Sequence, residues 1–151
     1  KVLDYALIND ATGTLLCGAF ENQDTVIGII NGTGFNACYV EDVRKIKKNR
    51  NNTSHKKVLI NTEFAAFGEA GGLNSILTEF DLENDGKSMN PGKHIYEKTI
   101  SGLYLGEIVR LILVSLENDS HFFVNGIPEK LKIQKSFKTS YISTSYHKEE
   151  F

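Results

Sequence analysis

The chain has 151 residues, a formal net charge of −2 and 40% hydrophobic residues, a length that supports one ordinary core. So small a negative balance argues against a general binder of polyanions. The longest apolar run, Leu111-Ile-Leu-Val114, is far too short to span a bilayer.

Leu3 to Ile8 reads as a buried strand that ends at Asn9-Asp10. Ala11 to Phe20 follows as a short helix, with Asn9 or Asp10 able to cap it. Thr25 to Ile30 and Phe35 to Glu41 are β-branched and aromatic runs joined by Gly32-Thr-Gly34, which predicts an antiparallel hairpin. Lys57 to Asn61 adds a third strand and completes a meander, after a lysine-rich surface loop over Arg44 to Lys57. Asn61 to Gly72 is expected to be irregular, broken by Gly68, Gly71 and Gly72. Asn90-Pro91 has the form of an N-cap followed by proline at the first helical position. Ser101-Gly102 marks a break. Beyond it, Leu105, Ile108, Val109, Ile112, Leu113 and Leu116 form an apolar stripe at helical spacing that reads as core. Lys138 to Tyr146 has the pattern of an amphipathic helix.

Two features carry chemistry. Asp10 places a carboxylate at a strand end, where it can accept a proton, although Asn-Asp there also reads as a turn or helix cap. Gly32-Thr33-Gly34 offers backbone N–H groups and a hydroxyl to a phosphate oxygen, although it also reads as a plain hairpin turn. Together they suggest phosphoryl transfer to a hydroxyl. No Gly-x4-Gly-Lys-Ser/Thr and no Gly-x-Gly-x-x-Gly occurs.

The ordered blocks Ile8-Asn-Asp-Ala-Thr-Gly-Thr14, Gly32-Thr-Gly-Phe-Asn-Ala-Cys-Tyr39, Asn61-Thr-Glu-Phe-Ala-Ala-Phe-Gly68, Thr78-Glu-Phe-Asp81 and Asn90-Pro-Gly-Lys-His-Ile-Tyr-Glu-Lys98 resemble eukaryotic hexokinases. Ser101-Gly-Leu-Tyr-Leu-Gly-Glu-Ile-Val-Arg-Leu111 extends the resemblance, which covers about Val2 to Phe137. It implies an α/β fold of the ribonuclease H-like, actin-like ATPase kind, with the meander packed against helices. The whole chain would be part of the catalytic large domain, cut from a longer enzyme and without turnover by itself. It also implies transfer of the γ-phosphoryl of ATP, with Mg2+, to the 6-hydroxyl of a hexose such as glucose in the cytoplasm, the first step of glycolysis. On the matching positions Asp10 would be the general base. Asn9, Asp10, Asn36, Glu63 and Glu97 would contact the sugar, and Gly32, Thr33 and Gly34 the nucleotide phosphates. Ionised carboxylates suit a hexose because they only accept hydrogen bonds and the sugar presents several donors.

Three positions depart from the family pattern. Ala11 stands where threonine usually follows the aspartate, Phe64 replaces the tryptophan after Asn-Thr-Glu, and Phe35 fills a slot that is normally small. A non-catalytic carbohydrate-binding or interaction module of the same fold is the alternative reading.

The remaining signals are weaker. Asp81-Leu-Glu-Asn-Asp-Gly86 superficially resembles a calcium loop, but position twelve would be Gly92, which leaves no bidentate ligand. Arg44, Lys45, Lys47, Lys48, Arg50, Lys56 and Lys57, with His55, read as a solvated loop rather than a nucleic-acid site. His55, His94, His121 and His147 form no ligand pattern, so no metal site is expected. Cys17 and Cys38 lack metal-like spacing and read as reduced thiols of a cytosolic protein. Asn31-Gly-Thr, Asn51-Asn-Thr, Asn52-Thr-Ser and Asn118-Asp-Ser match glycosylation sequons, which without a signal peptide are chance matches.

Overall fold

The computed structural model describes residues 7–49, 56–117 and 122–147. The chain divides into two compact units: Lys1–Ile30 with Phe35–Phe64, and Asn31–Gly34 with Ala65–Phe151.

The first unit is a helix on a small sheet. Helix α1 spans Asp10–Glu21. It starts where the Asn9 side chain accepts from Ala11 N at 2.9 Å and Thr12 N at 3.4 Å, which satisfies donors that have no partner inside the helix. Strands β1 (Ile27–Asn31), β2 (Phe35–Asp42) and β3 (Lys57–Asn61) pair in the order β1-β2-β3. Strands β2 and β3 run antiparallel from Cys38 opposite Asn61 to Asp42 opposite Lys57. Ala11 and Leu15, four apart on α1, bury against Cys38, with Ile30, Val40 and Leu59 around them. At Gly28 a Cβ would lie 2.7 Å from Leu15 N and 2.9 Å from its Cα, so only glycine lets the helix backbone rest on β1.

The predicted meander and first helix are therefore present. The predicted strand Leu3 to Ile8 falls mostly outside the described residues. Its last two residues, Leu7 and Ile8, are not in a strand, and Leu7 is fully exposed. The basic loop contains two short 3-10 turns, Val43–Lys45 and Lys47–Asn49. The first forms because the Asp42 side chain accepts from Arg44 N at 2.9 Å. Arg50 and His55 of that run lie outside the described residues, as does His121.

The second unit is helical: α2 (Glu79–Gly86), α3 (Ile95–Ile100), α4 (Gly102–Ser115) and α5 (Thr139–His147). Two outcomes differ from the sequence reading, and one helix was not assigned in it. The acidic stretch at Asp81–Gly86 is helix, nucleated by a reciprocal cap between Thr78 and Asp81. Asn90-Pro91 does not open a helix, because Gly92 at φ 76° turns the chain. Helix α3 begins only after His94, itself at φ 52°. The expected break at Ser101 is present. On α4, finally, the deepest face is not the apolar stripe but Gly106, Glu107, Arg110 and Leu111, while Ile112 is 39% exposed. Two charges are tolerated there because each is paired. Arg110 donates to both Glu107 oxygens at 2.9 and 2.7 Å and to Leu131 O at 2.7 Å, and Lys135 N donates to Glu107 Oε2 at 2.6 Å. Helix α5 docks through Thr139 Oγ1, which accepts from Gly106 N and donates to Gly102 O. Among the described residues no helix is long and apolar enough to cross a membrane.

Candidate functional site

In the first unit the sheet's pairing brings Asn36, near the start of β2, to Asn61, at the end of β3. Asn36 Nδ2 donates to Asn61 Oδ1 at 2.9 Å, and Asn61 Nδ2 donates to Glu63 Oε1 at 2.6 Å. Each amide passes its orientation to the next group, so the Glu63 carboxylate is held by a relay. Glu63 also sits at φ 49°, a left-handed conformation that costs a non-glycine residue free energy and often marks a functional position. Thr62 anchors the turn through its N and Oγ1, both donating to Ala37 O at 3.0 and 2.7 Å. Phe64, at the usual tryptophan position, packs edge-on against Phe35 with ring centroids 6.0 Å apart. The two aromatic departures from the family pattern thus meet each other.

Asn9 and Asp10 lie side by side at the start of α1. Asn9 spends its Oδ1 on the cap, while Asp10 is exposed and accepts from Ala11 N at 2.8 Å through Oδ1. Ala11 is fully buried in the Leu15–Cys38 core. The missing threonine hydroxyl therefore bears on packing beneath the aspartate.

The second unit holds the Gly32-Thr33-Gly34 turn and Glu97. The turn closes on itself through Gly32 N to Gly34 O at 2.9 Å. Its outer carbonyls meet the first turn of α4: Gly102 N donates to Gly32 O at 2.7 Å and Leu103 N to Thr33 O at 3.3 Å. Those helix N–H groups are thereby satisfied. At Gly32 a Cβ would meet nothing within 4 Å, and Thr33 is exposed. Open backbone and an exposed hydroxyl suit the approach of a phosphate oxygen.

Glu97 is three residues into α3's approach from His94, whose Nδ1 lies 3.5 Å from Glu97 Oε1. His94 is in turn fixed by its N–H, which donates to Glu69 Oε1 at 2.9 Å. Lys93 and that N–H hold the Glu69 carboxyl below the ordinary value. The neighbouring Lys98 is buried, with its Nζ on Asp85 Oδ1 at 2.6 Å, Ser88 Oγ at 2.8 Å and Asn90 O at 2.7 Å. Three acceptors match its three protons, so α2, the turn before α3 and α3 itself are pinned at one point beside Glu97.

Asn36, Glu63, Asn9 and Asp10 thus belong to the first unit, and Gly32, Thr33, Gly34 and Glu97 to the second. Sequence reasoning missed Asn61 and Lys98. Asn61 carried a readable signal, an amide at a strand end two residues before a glutamate. Lys98 carried none, since its partners come from another helix and turn. Among the described residues no group of three or more His, Cys, Asp or Glu could hold a metal ion.

The described fold, a sheet and helices in an α/β arrangement, has the architecture of part of an actin-like ATPase. A sequence model of the family described as Hexokinase matches residues 26–150. The chain is 44% identical over 138 residues to Hexokinase-1 of Homo sapiens, covering 91% of this chain and 15% of that protein. It is 43% identical to the hexokinase of Schistosoma mansoni, covering 30% of that protein. The solved structure of the Schistosoma mansoni hexokinase complexed with glucose superposes with a TM-score of 0.85 at 42% identity, over 94% of this chain and 32% of that one. A second hexokinase crystal structure aligns with a TM-score of 0.66 at 32% identity. The chain belongs to the hexokinase family. It spans a third or less of the length of these relatives.

Proposed function

We propose that this chain supplies the proton acceptor, part of the sugar-binding set and one phosphate turn of an ATP-dependent hexose 6-phosphotransferase, as part of its catalytic large domain. The observation that carries the reading is the Asn36–Asn61–Glu63 relay. It holds an acceptor-only carboxylate at a conformationally strained residue, and such an acceptor suits sugar hydroxyls.

In the reaction the hexose 6-hydroxyl attacks the γ-phosphorus of ATP. Its proton passes to Asp10 as the P–O bond forms, and ADP leaves. A hydroxyl is a poor nucleophile at neutral pH, so an exposed carboxylate in the first turn of a helix suits this task. Asn9, Asn36, Glu63 and Glu97 orient the sugar by accepting from, or donating to, its hydroxyls. Thr33 presents its hydroxyl to phosphate oxygens, Gly32 leaves the backbone beside it open to their approach, and Gly34 closes the turn. Magnesium bound to the nucleotide would neutralise charge on the transferring group. Catalysis of this kind is mostly positioning and electrostatics. The closed relay around Glu63 and the pinned helix beside Glu97 serve that requirement. Cytoplasmic location and entry of glucose into glycolysis belong to the same proposal.

The test is Asp10→Asn in the intact protein, assayed with glucose and MgATP by coupling the product to a dehydrogenase. We expect kcat to fall by a factor of about 10² to 10⁴, the range for a positioned general base, with glucose KM little changed. Near-normal kcat would remove Asp10 as the base. Absence of turnover in the wild-type protein, with glucose binding retained, would favour the non-catalytic carbohydrate-binding module.

A further inference from the structure

We propose that Gly34 is a positioning residue for the sugar: its missing side chain makes the seat for the Glu97 carboxylate, and the phosphate-facing part of the turn is Gly32-Thr33 alone. Gly34 is not among the glycines with positive φ, so the backbone conformation does not demand glycine there. Space does. A Cβ at Gly34 would lie 2.7 Å from Glu97 Oε2 and 3.5 Å from its Cδ, with no other atom within 4 Å. The same construction at Gly32 meets nothing within 4 Å. One end of the turn is therefore open and the other is filled by an anionic group. A carboxylate beside Gly34 repels a phosphate oxygen that approaches the same backbone, which separates the roles of the two glycines.

The backbone has little room to yield. Gly32 O and Thr33 O are held by Gly102 N and Leu103 N, and Gly32 N by Gly34 O. Gly102 also packs closely on the turn, since a Cβ there would lie 2.9 Å from Gly32 O. Glu97 is anchored at its helix by the adjacent buried Lys98, so only the end of its side chain can move. A methyl group at Gly34 therefore displaces the carboxylate and leaves the fold in place. That displacement is what a sugar acceptor cannot tolerate, since misplacement by about 1 Å can cost about 10²-fold.

The inference rests on the reading of Glu97 as a sugar acceptor. The experiment compares wild type, Gly34→Ala, Glu97→Ala and the double variant in the intact protein, with glucose KM, MgATP KM and thermal melting measured for each. We expect Glu97→Ala and Gly34→Ala each to raise glucose KM about tenfold or more, with MgATP KM within about twofold of wild type. Gly34→Ala should add nothing once Glu97 is alanine, because the two then share one mechanism, and its melting curve should match wild type. If Glu97→Ala leaves glucose KM unchanged, the acceptor reading fails and the inference with it. If Glu97→Ala raises glucose KM while Gly34→Ala raises only MgATP KM, the acceptor reading stands and Gly34 is a phosphate contact. A Gly34→Ala protein that melts early or does not fold would show that backbone, not the carboxylate, gives way, and that also overturns the inference.

Discussion

The two units differ in whether charged side chains join the apolar ones in the interior. In the first, the fully buried side chains are Ala11, Leu15 and Cys38, an apolar contact between a helix and a sheet. In the second, Lys98, Ser101, Glu107 and Arg110 are among the most buried residues. An apolar core gains free energy from area and tolerates small shifts, whereas a buried charge is tolerated only while each partner stays in place. The candidate glutamates follow the same division. Glu63 is set by surface amides and a strained backbone, Glu97 by a helix that a buried ammonium locks. The second unit therefore gains geometric definition at the expense of sensitivity to charge.

The largest effect expected from this contrast is at Arg110. Arg110→Met leaves Glu107 buried without its cation and should lower unfolding free energy by about 3–5 kcal/mol in denaturant titration. Replacing the pair together, Glu107→Leu with Arg110→Met, should recover most of that loss. A single-variant loss no larger than the double's would mean that Glu107 reaches water unaided.

A smaller effect is expected in the first unit from Gly28→Ala. The new Cβ meets backbone atoms of Leu15, so α1 itself must lift from the sheet, at a cost of about 1–3 kcal/mol. Gly34→Ala, opposed only by the tip of a side chain, should cost much less stability. Equal melting temperatures for the two variants would remove the distinction between backbone-opposed and side-chain-opposed glycines.

The smallest effect is with pH. Burial raises the Glu107 carboxyl, but Arg110 and the Lys135 N–H more than offset this, so it stands below its ordinary value of 4.5. A carboxyl lowered on folding contributes stability that is present above its unfolded value and lost as pH falls through the folded one. Melting temperature should therefore decline below pH 4.5, and decline less in the double variant that lacks the pair. Identical acid profiles would show that Glu107 contributes nothing to the pH dependence.

Much of the first unit was legible in the sequence. Helix α1 follows from the run Ala11 to Phe20 behind a capping residue at Asn9 or Asp10. The meander follows from three β-branched runs separated by a glycine turn and a basic loop, and the break at Ser101 was equally readable. The order of motifs also pointed to the hexokinase family and to its candidate residues. The Asn90-Pro91 expectation failed for a local reason, the turn at Gly92, whereas elsewhere the determining partner was remote. The acidic Glu79–Gly86 helix has too few apolar residues to show a stripe, and only its Thr78–Asp81 cap was written locally. Its Asp85 is held by Lys98, which hydrophobic periodicity cannot reveal.

The sequence by itself determined the local elements and the identity of the polar groups, because caps, turns and strand propensity act between residues close in the chain. Only the tertiary structure decided which face of α4 is deepest, since the acceptor and donor that satisfy Arg110 and Glu107 come from Leu131 and Lys135. It alone joined Asn36 through Asn61 to Glu63, and set the Glu97 carboxylate against Gly34. Each of these depends on a distance of a few ångströms between segments far apart in sequence, and residue order does not encode such a distance until the chain has folded.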